Sequence, residues 1–182
     1  MSHSRSPATL CLIALALAAP GAAAAKILPE AERLAECLSL ADWTLAAGEA
    51  RRADVSKEEH ANAAPAEATP QRAARLAAIE AVYRDRPGDL SDYIAAKLGA
   101  CLRQGGHDLS DLAAKGCYDQ TLWAGMFFAS KRRGVALERL IEGYRGAGDG
   151  AAPLAGLAAA VYRSPQPEAD FRRELFLGCV IR

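Results

Sequence analysis

The chain is poor in the residues and spacings that most catalytic sites need. Only three of its 182 residues are histidine. His3 sits at the extreme N-terminus; His60 and His107 are far apart, and neither has a second histidine one turn away. No HExxH is present, so zinc hydrolysis has no scaffold. No CxxC or CxxCH occurs, which removes the spacing of thioredoxin-like redox pairs and of haem attachment. There is no GxSxG elbow and no P-loop. The glycine-rich stretch Gly146–Gly150 follows a helical pattern rather than a strand and lacks the Lys-Ser/Thr ending, so it reads as a loop. Charge of neither sign dominates, with 22 basic and 22 acidic residues. That leaves no basic excess for nucleic acid and no acidic tail. No stretch alternates in the Val, Ile and Thr-rich manner of a strand. These absences leave no catalytic residue, metal ligand or cofactor to name, and they weigh against an enzyme.

What is present begins with a leader. Arg5 precedes the apolar run "TLCLIALALAA", Pro20 and Gly21 break it, and "AAAA" follows at Ala22–Ala25. A charged start, a short apolar stretch and small residues at an A-x-A type site predict a signal peptide over residues 1–25. Cleavage within Ala22–Ala25 would leave 182 − 25 = 157 residues and 21 basic against 22 acidic groups. The expected location is periplasmic or secreted, with no membrane span after cleavage. Cleavage also removes Cys11 and leaves Cys37, Cys101, Cys117 and Cys179. Four cysteines in an exported chain predict two disulfides.

The remainder reads as helix almost throughout, because Ala, Leu, Glu and Arg dominate it. A first helix is expected from Pro29 to Arg51, with Leu34, Leu38, Ala41 and Leu45 on one face and Trp43 nearly opposite. A helix apolar on two sides is a central one. Ser56 and Glu59 have the capping-box spacing of a short second helix. Asn62–Gln71 reads as a loop, and helices are expected over Arg72–Arg84 and from Asp92 to Leu102. After the joint Arg103–Asp111 the pattern restarts. Helices are expected over Cys117–Arg133, Val135–Arg145, Leu154–Arg163 and Phe171–Cys179.

That restart is an internal repeat. At an offset of 80, Cys37 matches Cys117, Trp43 matches Trp123, Arg52 matches Arg132 and Val55 matches Val135. At 79, "AVYR" at Ala81–Arg84 matches Ala160–Arg163. At 78, Pro87 matches Pro165, Tyr93 matches Phe171 and Cys101 matches Cys179. Each slip falls in or beside a loop. The expected fold is all-α, two tandem related helical units of about four helices, 26–104 and 105–182. The simplest pairing is within units, Cys37 with Cys101 and Cys117 with Cys179. Cys37 with Cys179 and Cys101 with Cys117 would respect the repeat equally. A loop of about 64 residues gives roughly 4 kcal/mol of stabilisation in the chain-entropy account, which matters for small cores.

Two features could carry binding. The basic clusters Arg51-Arg52 and Lys131-Arg132-Arg133 end the first helix of each unit. They complement that helix's own dipole, or form paired anion sites through Arg52, Arg132 and Arg133. The second unit also gathers Trp123, Met126, Phe127 and Phe128, as core or as an apolar binding patch.

The run Cys37, Arg52, Val55, Val82, Tyr83, Pro87, Cys101, with its second-unit matches, resembles small uncharacterised secreted helical proteins of proteobacteria. That resemblance implies an exported, disulfide-linked helical protein and no particular activity. The chain is also similar to the helical, disulfide-containing immunity proteins that guard the periplasm against type VI secretion effectors. The expected function is a non-catalytic protein-binding module, such as an inhibitor, immunity protein or envelope adaptor, with an unidentified protein partner in the cell envelope. The alternative is a carrier of a small apolar ligand held between helices or units.

Overall fold

The structure is a computed structural model that describes residues 30–63, 69–144 and 151–182. The expected signal peptide and the loop at Gly146–Gly150 lie outside the described residues. Those residues form α-helices and no strand: α1 (Glu30–Arg52), α2 (Lys57–Asn62), α3 (Thr69–Asp85), α4 (Leu90–Gln104), α5 (Asp111–Arg132), α6 (Leu137–Tyr144), α7 (Ala151–Arg163) and α8 (Glu168–Val180). No helix among them is long and apolar enough to cross a membrane.

Local chemistry sets the helix starts. The Ser56 hydroxyl accepts from the Glu59 amide at 3.1 Å, so the N-cap expected for α2 is present. Asp89 caps α4 through the Asp92 amide at 3.0 Å. Ser110 caps α5 through the Ala113 amide at 3.2 Å, which starts that helix six residues before Cys117. α3 and α7 also begin earlier than expected, at Thr69 and Ala151. Each therefore takes in a proline, Pro70 and Pro153. Both fall in the first turn, where the missing N–H has no intrahelical acceptor to lose. α8 likewise starts at Glu168, with Glu168 and Asp170 in its first turn.

The disulfides are Cys37–Cys101 and Cys117–Cys179, with Cα atoms 5.7 and 5.6 Å apart. They tie α1 to α4 and α5 to α8. α1 also packs on α3, and α5 on α7, while α2 and α6 lie on α3 and α7 respectively. Contacts between α4 and α5, and between α1 and α8, join the two halves. The main core runs straight across the 104/105 boundary: Leu34, Cys37 and Leu38 of α1 meet Ile94, Leu98 and Leu102 of α4, together with Cys117 and Tyr118 of α5 and Phe176 of α8. α1 and α5 are thus central, as two apolar faces require.

Several contacts recur at matched positions. The Tyr83 hydroxyl donates to the Val55 carbonyl at 2.7 Å, and the Tyr162 hydroxyl donates to Val135 at 2.7 Å. The Arg51 guanidinium donates to the Pro87 carbonyl at 3.2 Å. Lys131, 80 residues on, donates to the carbonyls of Val161 and Ser164 at 3.2 and 3.0 Å. These cations reach carbonyls in the last turn of the neighbouring helix or just beyond it, α3 or α7.

Candidate functional site

The seam between the halves has two sides with different chemistry. On one side Asp42 of α1 is the focus. Its Oδ1 accepts from the Tyr118 hydroxyl of α5 at 2.9 Å and from Arg172 Nη2 of α8 at 2.8 Å. Arg172 Nε also donates to the Thr121 carbonyl at 3.1 Å. One turn away Arg132 pairs with Glu168. There is little spare room: a Cβ on Gly125 would lie 3.2 Å from Glu168 Oε1 and 3.8 Å from Arg172 Cδ. Burial pushes the Tyr118 phenol well above its ordinary pKa, and the Asp42 carboxylate adds to the shift. This side is closed by the chain's own ion pairs.

The matched positions on the other side are apolar. Leu122 stands for Asp42, Ile94 for Arg172, Leu90 for Glu168 and Leu45 for Gly125. With the Tyr118 ring they floor an open cleft of about 350 Å³ between α1, α4 and α5. Its rim carries Arg52, Asp89, Ser91, Lys115 and Asp119. Three of these charges are engaged. Lys115 Nζ lies 2.6 Å from Asp119 Oδ2, and Asp89 caps α4. Arg52, exposed at the end of α1, has no ion pair or hydrogen bond among the described residues.

The expected apolar patch is distributed differently. Phe127 is fully buried and Phe128 nearly so, in a cluster with Ala158 and Val161 of α7. Trp123 is half-buried and meets Tyr144 edge-on at 5.5 Å, while Phe128 meets Phe171 edge-on at 5.5 Å. Met126 faces outward, 52% exposed. Arg133 reaches the Ser130 hydroxyl at 3.3 Å. Of the residues singled out from sequence, Arg52 is the one that lines the cleft. A smaller recess of about 260 Å³ opens beside Trp43, walled by Leu40, Pro70 and Ala74.

Sequence reasoning did not find Asp42, Tyr118 or Arg172, which lie 76 and 130 residues apart in their pairings. A signal was available. At each of these positions a polar residue stands 80 or 78 residues from an apolar one, Leu122, Leu38 or Ile94, and such a mismatch marks positions with different surroundings in the two halves. Among the described residues no group of His, Cys, Asp or Glu could hold a metal ion. Comparison with protein-family models, with curated proteins and with solved structures found no match.

Proposed function

We propose that the chain is an exported, non-catalytic protein-binding module of the cell envelope, built from two copies of one helical unit. The observation that carries the binding reading is the open cleft at the seam. An apolar floor of Leu45, Leu90, Ile94 and Leu122 beneath a charged rim has the composition of a contact surface, with an apolar centre and polar margin. The duplication is supported by the paired tyrosine-to-valine bonds and by disulfides at matched positions. Export is supported by the leader sequence and by the two disulfides, which persist in oxidising compartments. An inhibitor, an immunity protein and an envelope adaptor all fit this reading.

The apolar floor also favours a second reading, a carrier of a small apolar ligand. The cleft is open along one side, however, and ligand sites bury most of a small molecule's surface. The test is a pull-down from periplasmic extract with the wild-type chain and with Leu122→Arg, followed by mass spectrometry. A protein captured by the first and lost by the second is the expected result. Release of a lipid or other small molecule from the purified chain, with no protein captured, would favour the carrier.

A further inference from the structure

We propose that the unfolded chain closes a wrong bond first, Cys101 with Cys117, and reaches its native pairing by thiol–disulfide exchange, so that its maturation needs a partner presenting a reactive thiolate. The proposal rests on the cysteine positions and the observed pairing, not on what the seam binds.

The native bonds close loops of 64 and 62 residues. Across the joint between the halves, Cys101 and Cys117 are only 117 − 101 = 16 residues apart. Loop closure in an unfolded chain falls off as about the 3/2 power of length, so the short loop should form about eightfold more often than either native one. Order of synthesis gives the native pair little protection. The 16 residues from Cys101 to Cys117 follow in about 1–3 s, whereas disulfide formation takes seconds to hours. Completed folding does not select the pair either, because Cys37 and Cys117 are buried in the finished core and buried thiols are inert.

The chemistry balances without net redox change after oxidation. Two thiols join at Cys101 and Cys117 and pass two electrons to an external disulfide, which leaves as two thiols. A second such oxidation joins Cys37 to Cys179, and none of the four cysteines is then free to attack. An external thiolate attacks Cys117 Sγ, forms a mixed disulfide and expels the Cys101 thiolate. That thiolate attacks Cys37 Sγ, forms Cys37–Cys101 and expels the Cys179 thiolate. Cys179 attacks Cys117 Sγ, forms Cys117–Cys179 and releases the external thiolate unchanged. Both native bonds belong to one core cluster, so packing holds the native pairing once it has formed.

The experiment uses the full chain with Cys11→Ser, reduced, unfolded in urea and oxidised with oxidised glutathione. Iodoacetamide stops the reaction and peptide mapping reads the bonds. Among one-bond species Cys101–Cys117 should exceed either native bond by about eightfold. A Gly/Ser insertion of about 50 residues after Gly106 should erase that excess, a readout in urea that does not depend on folding. The two-bond species with Cys101–Cys117 and Cys37–Cys179, purified and freed of urea and glutathione, should keep its bonds. A trace of reduced glutathione should convert it to the native pairing. Native bonds as abundant as Cys101–Cys117 in urea, or an excess that survives the insertion, would overturn the proposal. So would conversion of the purified species without a thiol, or none with it.

Discussion

Leu90 and Glu168 open the last helix of each half, 78 residues apart, and they fill their surroundings in opposite ways. Leu90 drops into the space that Gly48 leaves empty: a Cβ on Gly48 would clash with Leu90 Cδ2. Eighty residues on from Gly48 stands Phe128, which packs edge-on against Phe171, so no apolar side chain is needed from position 168. Glu168 turns instead to Arg132. The same contrast runs through both flanking cores. Ala47, Ile79 and Val82 form a small cluster in the first half, while Phe127, Phe128 and the Trp123 and Tyr144 rings fill the second. The two halves thus reach different packing solutions. Changing which helix supplies bulk decides which side of the seam is sealed by ion pairs and which stays open.

The largest expected effect comes from removing bulk on the second side. Phe127→Ala should lower unfolding free energy by about 3–5 kcal/mol, measured by urea denaturation, because the ring is fully buried. Ala47 stands at the matched position, and Ala47→Gly should cost only about 1 kcal/mol, chiefly through helix propensity. If Phe127→Ala cost no more than that, the two flanking cores would not differ as described.

Next are the two staples. Cys37→Ser with Cys101→Ser, or Cys117→Ser with Cys179→Ser, should each cost about 2–5 kcal/mol, since the loops closed are 64 and 62 residues long. Non-reducing peptide mapping checks the pairing directly, and a bridge between Cys37 and Cys117 would refute it.

The Gly48–Leu90 fit gives a sharper test. Gly48→Ala should destabilise by about 1–3 kcal/mol through overpacking. Adding Leu90→Ala should recover part of that loss, although each change alone is unfavourable. Additive losses in the thermal melts would mean that the two positions do not share space.

The closed side can be rewritten with the residues of the open side. Asp42→Leu alone should cost about 1–2 kcal/mol, because Arg172 and the Tyr118 hydroxyl lose their acceptor while only partly reached by solvent. Combining Asp42→Leu, Tyr118→Leu and Arg172→Ile copies Leu122, Leu38 and Ile94. Replacing all partners with apolar groups should bring stability back towards the wild type, and failure to do so would show that the network carries more than its geometry implies.

The smallest effect is a titration. The Tyr118 pKa is raised in the folded state, so its contribution is intact below the ordinary tyrosine pKa and is lost as pH rises through the folded value. Absorbance at the phenolate band should show Tyr118 ionising only with alkaline unfolding, and Tyr118→Phe should remove that step. Tyr93, pushed up to about 12 by burial and by its bond to Asp85, should titrate earlier.

Much of the scaffold was legible. The cysteines fall at the start and end of each half, so a within-half pairing closes each half on itself, and it is the one observed. The Ser56 cap followed from spacing alone. The helix starts at Asp111 and Glu168 were less legible, because a cap or an acidic first turn can extend a helix well before its first apolar residue. The aromatic cluster of the second half was visible as composition, but its division into buried Phe127 and outward Met126 depends on where α6 and α7 lie.

The sequence by itself determined the all-helical character, the presence of four cysteines at matched spacings and the Ser56 cap, because these rest on local propensity, capping and spacing along the chain, while the structure chose between the two symmetric cysteine pairings. Only the tertiary structure decided that Asp42 meets Tyr118 and Arg172, that α4 and α5 lean together, and that Arg52 overlooks an unfilled apolar cleft. Those are contacts between helices far apart in the chain. Their partners are set by how whole helices pack, which no local pattern specifies.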